Sequence, residues 1–211
     1  MSASFSNQLQ CWLGVAAFVL GGAGLNIADA ATVPSGFSET IIPGPSAGNW
    51  TKPVGATFDA TGRMFVWEIG GDVWVKGTAA TNFTRLLSLS EEVAQDGDGL
   101  LGLALDPDFL ANGNLYLLYV VDRHHLLNFG TTNYNASTNL PNQATIGRLT
   151  RYTCVASNDF KSVNPASRFV LVGDSKTNGI PICAVSHSVG SLVFGDDGTR
   201  SEERRVGKEC A

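Results

Sequence analysis

Short apolar runs separated by glycine-containing polar turns dominate the chain beyond residue 50. Pro53–Val66 reads PVGATFDATGRMFV, an apolar run, a turn ending in glycine and a second apolar run. The plan recurs at Leu101–Leu118 (LGLALDPDFLANGNLYLL) and begins again at Gly190–Thr199 (GSLVFGDDGT). Apolar–polar alternation over such short spans is the mark of half-buried strands. The pattern predicts a hairpin of Met64–Glu68 and Asp72–Lys76 across Gly70-Gly71, closed into a four-stranded unit by Thr84–Leu89. It predicts a second unit in which Leu101–Asp106 pairs with Asn114–Val121, followed by Gly147–Cys154 and Ser167–Gly173. A further strand, Ser191–Gly195, leads into the turn Asp196-Asp197-Gly198. No stretch after the first thirty residues carries helical periodicity. Repeated four-stranded antiparallel units predict an all-β chain built as propeller blades, two of them and the start of a third. Asp122–Thr145, rich in Asn and Thr, is a long insertion between two strands of the second unit, either a functional loop or a disordered one.

Composition refines this picture. The 211 residues carry a net charge of −5 and no Lys/Arg stripe outside a small cluster at Arg204 and Arg205, so nothing steers the chain toward nucleic acid. Cys11–Leu25 is apolar but short and glycine-rich for a membrane span. It runs into Ala28-Asp29-Ala30, a small-x-small pattern. Residues 1–30 are therefore expected to be a signal peptide, against the alternative of an uncleaved anchor, and the mature chain to be secreted, extracellular or periplasmic, with no membrane span. In an oxidising compartment Cys154 and Cys183 can bridge or remain two buried thiols. Sequons stand at Asn49, Asn82 and Asn135. The final stretch, Arg200–Cys210 (RSEERRVGKEC), has seven charged residues in eleven. It resembles the in-frame translation of a short-read sequencing adapter. Residues 200–211 are thus expected to be a non-native tail without packed contacts, and the propeller part to run from 31 to 199.

Five stretches resemble, in order, one family. Val33-Pro34-Ser35-Gly36-Phe37 is similar to its opening L-P-x-G-F, and Gly62–Glu68 to G-R-L-F-V-x-E. Asp98–Tyr116 is similar to G-L-L-G-L-A-F-H-P-D-F-x-x-N-G-x-x-Y, Gly147–Tyr152 to R-L-x-R-F, and His187–Gly198 to H-x-G-G-x-L-x-F-G-P-D-G. The family is that of the soluble pyrroloquinoline quinone (PQQ)-dependent glucose and sorbosone dehydrogenases, with hedgehog-interacting-protein-like relatives.

The resemblance implies a six-bladed propeller with PQQ and calcium over the ring, a sugar or alcohol substrate and an external electron acceptor. It gives His187 the part of general base on the substrate hydroxyl, a task that suits an imidazole titrating near neutral pH. It places substrate contacts at Ser186 and at Gly97 with its neighbour Asp98. The PQQ and calcium ligands would belong to later blades. The chain departs from the pattern at Ser186, where the glucose-oxidising members carry an acid, and at Gly97, where they carry an amide or acid. Asp106 replaces the His of H-P-D-F, and Val189 the first glycine of the last motif. These departures leave a second reading, a non-catalytic extracellular propeller that binds a protein or glycan. A calcium-dependent lactonase-type propeller is disfavoured by the lack of a His/Asp/Glu set at metal-ligand spacing. His124 and His125, adjacent and therefore poorly placed for chelation, are expected to face solvent or pack in their loop.

Overall fold

A computed structural model describes residues 33–95, 98–183, 188–195 and 200–202. Of the described residues, 33–41 belong to one unit and those from 42 onward to another. In the described part of the first, the Phe37 N–H donates to Pro34 O at 3.1 Å. All sheets belong to the second unit.

The first sheet is an antiparallel meander of β1 (Pro53–Phe58), β2 (Met64–Glu68), β3 (Asp72–Lys76) and β4 (Thr84–Ser88). The second has the order β5 (Leu100–Leu105), β6 (Asn114–Val120), β7 (Thr145–Cys154), β8 (Val163–Val172). A short β9 (Ile180–Ile182) joins it by pairing with Thr145–Gly147 of β7. The pairings predicted from the alternation are present, with β2 on β3 and β5 on β6. The fold is all-β, with antiparallel sheets of four and five strands, and no closed ring exists among the described residues.

Three residues of the stretch expected to lack packed contacts pair as a strand. β10 (Leu192–Phe194) pairs antiparallel with β11 (Arg200–Glu202), Leu192 opposite Glu202 and Phe194 opposite Arg200. Backbone hydrogen bonding ignores side-chain charge, so an exposed strand edge recruits these residues in spite of their polarity. Residues 203–211 and the expected signal peptide lie outside the described residues.

Two short helices also arise where no helical period is visible, α1 (Phe109–Asn112) and α2 (Arg123–Asn128). Each is too short to show a period. α2 is started by Asp122, whose Oδ1 accepts from the His125 N–H at 3.1 Å. Among the described residues no helix is long and apolar enough to cross a membrane.

β6 (NLYLLYV) explains how the layers stack. Leu115, Leu117 and Tyr119 lie in a core shared with Phe65, Val73 and Val75 of the first sheet. Tyr116, Leu118 and Val120 lie in a second core with Val189 and Leu192. A strand buried on both faces needs the nearly unbroken apolar run seen here. Burial of each such large side chain contributes about 1.5–3 kcal/mol.

Arg63, at the start of the β2 hairpin, ties the two sheets together. Its Nε donates to Asp59 Oδ2 at 2.7 Å, and its Nη1 donates to Asp159 O at 2.8 Å and to the Asp159 carboxylate. The guanidinium lies 4.7 Å from the centre of the Phe160 ring, which packs on Phe109 and through it on Phe65. The Asp59 side chain is 1% exposed and that of Asp159 59%. Arg63→Ala leaves the buried Asp59 carboxylate without its counter-charge, though still hydrogen-bonded by Thr61 and the residue-63 N–H, and is expected to cost about 3 kcal/mol in urea denaturation. Asp159→Ala, at the wet end of the same network, is expected to cost less than about 1 kcal/mol.

The Cys154–Cys183 bridge is not formed, and Cys154 is a free, buried thiol. Cys154 ends β7, whereas Cys183 follows β9, which pairs with the beginning of β7. The ten residues of β7 separate them, a run of about 30 Å, far beyond the roughly 4.4–6.8 Å between Cα atoms that a disulfide spans. Burial pushes the Cys154 thiol up to about 12. Cys154 should resist a thiol-specific chromogenic reagent in the native protein at neutral pH and react on unfolding. Rapid native labelling of Cys154, mapped by peptide mass, would contradict this placement.

Candidate functional site

The strand registers bring several chain segments to one end of the second sheet. Leu100 lies opposite Tyr119, Val120 opposite Gly147 and Thr145 opposite Ile182. The starts of β5 and β7 and the ends of β6 and β9 therefore share this end. The connection leaving β4 joins them, since the Asp122 N–H donates to Glu92 O at 2.8 Å and the Ala94 N–H to Val120 O at 3.0 Å.

Asp98 sits at this end, two residues before β5, and is 4% exposed. Cys183 follows β9 there. Gly97, Ser186 and His187 lie outside the described residues. Segments bearing two of the sequence motifs meet through glycine. A Cβ on Gly102 of β5 would stand 3.0 Å from Gly190 O and 3.2 Å from Leu192 N. A Cβ on Gly147 would stand 2.6 Å from Val189 Cγ1. A side chain at Gly102 would require the 190–192 backbone to give by a few tenths of an ångström, and one at Gly147 would displace the Val189 side chain.

The most developed polar arrangement at this end is one the sequence reading missed. Glu92 Oε1 accepts from Tyr119 Oη at 2.7 Å, from Arg168 Nη2 at 2.8 Å and from Arg148 Nη1. The donors come from β6, β7 and β8. Tyr119 Oη also lies 2.9 Å from Thr150 Oγ1, and Arg148 Nε donates to Gly173 O at 2.5 Å. Glu92, Tyr119, Arg148 and Thr150 are all buried.

One signal could have exposed it. Alternation along β7 places Arg148, Thr150 and Tyr152 on one face, and a buried arginine demands an anion. Glu92, 56 residues away in sequence, is a partner that no local pattern identifies.

α2 and its loop wall this network. His125 is 8% exposed. Its Nδ1 lies 3.0 Å from Glu91 O, so that nitrogen carries the hydrogen, and its ring stacks on Phe129 at 4.5 Å. His124 stacks on Tyr134 at 5.7 Å, and its Nε2 accepts from the Asn135 N–H at 3.0 Å. Both histidines pack in their loop, one of the two outcomes expected for them. The loop is pinned at its far end by Asp122 Oδ2, which accepts from the Leu140 N–H at 2.6 Å. Between this wall and the ends of β4, β7 and β8 lies a cavity of about 740 Å³.

Two titrations follow from this environment. Burial pushes the Glu92 carboxyl up, but Arg168, the Tyr119 hydrogen bond and Arg148 outweigh it and hold the group below its ordinary range. Burial lowers the His125 imidazole, opposed by Glu92 and assisted by Arg148. Both groups have depressed folded-state values, so the unfolded chain binds more protons and stability falls as pH falls. The His125 loss begins as pH drops below its ordinary value of 6.5, and the Glu92 loss below 4.5. Urea midpoints followed from about pH 8 to pH 3.5 should decline in these two stages. Glu92→Gln should shrink the acid stage, to which the depressed carboxyls of Asp59 and Asp106 also contribute, deepen the upper one by removing the carboxylate that favours the His125 cation, and lower stability throughout by stranding two guanidiniums.

No protein-family model matches the chain, and no curated protein matches it. Solved structures that resemble it include the PQQ-bound form of an aldose sugar dehydrogenase from Streptomyces coelicolor, with 17% identity and a TM-score of 0.47 over 77% of this chain and 39% of that one. A glucose dehydrogenase-type oxidoreductase from Thermus thermophilus matches with 18% identity and a TM-score of 0.45 over 76% of this chain and 37% of that one. The apo-form of the soluble aldose sugar dehydrogenase from Escherichia coli matches with 16% identity and a TM-score of 0.39 over 68% and 35%. The chain thus spans well under half the length of these proteins.

Among the described residues there is no group of three or more His, Cys, Asp or Glu able to hold a metal ion. Arg148, which follows the Gly147 contact with Val189, turns to Glu92 and Gly173. The described residues around Asp98 and Val189 therefore do not form a cradle for calcium or for a quinone carboxylate.

Proposed function

We propose that this chain is the N-terminal part of a secreted quinoprotein that oxidises a sugar or alcohol hydroxyl. The supporting observation is the contact between motifs that are distant in sequence. Gly102 lies in the G-L-L-G-type strand, Val189 to Leu192 lie in the segment that follows His187, and the first accommodates the second at van der Waals distance. The end of the sheet shared by the starts of β5 and β7 also carries Asp98.

In this reading His187 accepts the hydroxyl proton of the substrate at an imidazole nitrogen as the carbon–oxygen double bond forms. PQQ, when bound, supplies the two-electron acceptor for the carbinol hydride. Ser186, Gly97 and Asp98 border the substrate. Without an acid at Ser186 or an amide at Gly97, the substrate is expected to differ from glucose. Groups that grip the quinone and calcium belong to the remainder of the propeller, so the 211-residue chain alone is expected to be inactive.

The test uses the full-length protein that carries this chain, reconstituted with PQQ and calcium and assayed by dye reduction over a panel of sugars and alcohols. His187→Ala should lower turnover by about 10²–10⁴-fold and leave quinone binding nearly unchanged. Equal activity in the two proteins would remove His187 from the mechanism. Failure of the unaltered protein both to bind PQQ and to turn over would favour a propeller that only binds a protein or glycan, the reading to which Ser186 and Gly97 point.

A further inference from the structure

We propose that the cavity between the ends of β4, β7 and β8 binds a small organic monocarboxylate, with Arg168 in its floor and Lys176 at its mouth. The inference is independent of the catalytic reading. It begins from charge. The floor holds two guanidiniums, Arg148 and Arg168, and one carboxylate, Glu92. Both share that one carboxylate, and Arg168, a third of whose side chain is exposed, is the cation left open to a further anion.

The two arginines are not equivalent. Arg148 is 7% exposed, and its Nη1 and Nε are committed to Glu92 and Gly173 O. The Arg168 side chain is 36% exposed and lines the cavity. A guanidinium has five N–H donors in a planar fork suited to a carboxylate. Glu92 Oε1 takes one of these from Arg168, and the Tyr119 and Tyr152 hydroxyls also interact with this guanidinium.

The walls specify the rest of the ligand. The lining includes the aromatic residues Phe129 and Tyr152, the aliphatic Leu126 and Val170, and the serines Ser90 and Ser175. Such a surface accepts a flat body with one apolar face, either an aromatic ring or the C–H face of a sugar. Glu91 and Asp174 also border the cavity and are exposed at its mouth. They repel a second negative charge, which restricts the ligand to one carboxylate. The volume of about 740 Å³ falls within the range of small-molecule sites.

Two probes separate the sources of this chemistry, benzoate for aromatic acids and glucuronate for acidic sugars, with glucose as the neutral control. Titration calorimetry on the 211-residue chain at low ionic strength should show saturable binding of at least one acid and none of glucose. Binding of benzoate alone assigns the pocket to aromatic acids, and binding of glucuronate alone to acidic sugars. Arg168→Gln should weaken binding roughly tenfold or more, as expected for loss of a charge-assisted hydrogen bond. Lys176→Ala should weaken it by about two- to threefold and flatten its salt dependence. Should R168Q lose its fold by circular dichroism, Arg168→Lys replaces it, and unchanged affinity in both R168K and K176A overturns the proposal. So does binding of neither acid up to about 10 mM, binding of glucose as tight as that of the acids, or full affinity in a folded R168Q.

Discussion

One carboxylate oxygen, Glu92 Oε1, takes a phenol and two guanidiniums from three successive strands of the second sheet, while Glu92 itself belongs to the connection leaving the first. Hydrophobic packing between the sheets is non-directional and would tolerate some sliding. A shared acceptor does not, because each donor must reach the same atom within hydrogen-bond distance. The phenol fixes β6, the guanidiniums fix β7 and β8, and the Glu92 carbonyl fixes the residue that caps α2. Register, loop placement and the shape of the neighbouring cavity all depend on this junction. Arg63 performs a related task elsewhere, with a carboxylate from each side of the sheet interface.

The strands were legible because their causes are local. Alternation along Asp72–Lys76 and the double glycine before it suffice to place β3 beside β2. β6 was legible as the apolar run after a glycine-containing turn, but its burial on both faces appears only in the structure. α1 and α2 escaped because four and six residues cannot display a period. The pairing of Arg200–Glu202 escaped because charge is a guide to burial and says little about backbone hydrogen bonding.

The candidate site was less legible. A cysteine pair suggests a bridge in a linear reading, and only the pairing of β9 with the first residues of β7 shows that Cys154 and Cys183 flank opposite ends of one strand. Asp98 was found through a motif, and its burial could not be inferred from a position among charged and glycine neighbours. The Glu92 network was hidden by sequence distance. Arg148 and Arg168 each look like the polar member of an alternating strand, and only the second sheet's position against the β4 connection turns that face inward.

β6 contributes to three layers at once: its own sheet, the core shared with the first sheet, and the core shared with β10. In evolutionary terms such a strand is a fixed point. β3, with one half-exposed face, can drift through polar substitutions. No residue from Leu115 to Val120 has a solvent side on which to drift. Length variation is equally barred, because one inserted residue would exchange the two cores' side chains. Divergence in this region is therefore directed outward, into the connection between β6 and β7, where the wall of the cavity can be remodelled while the layers beneath it stay unchanged.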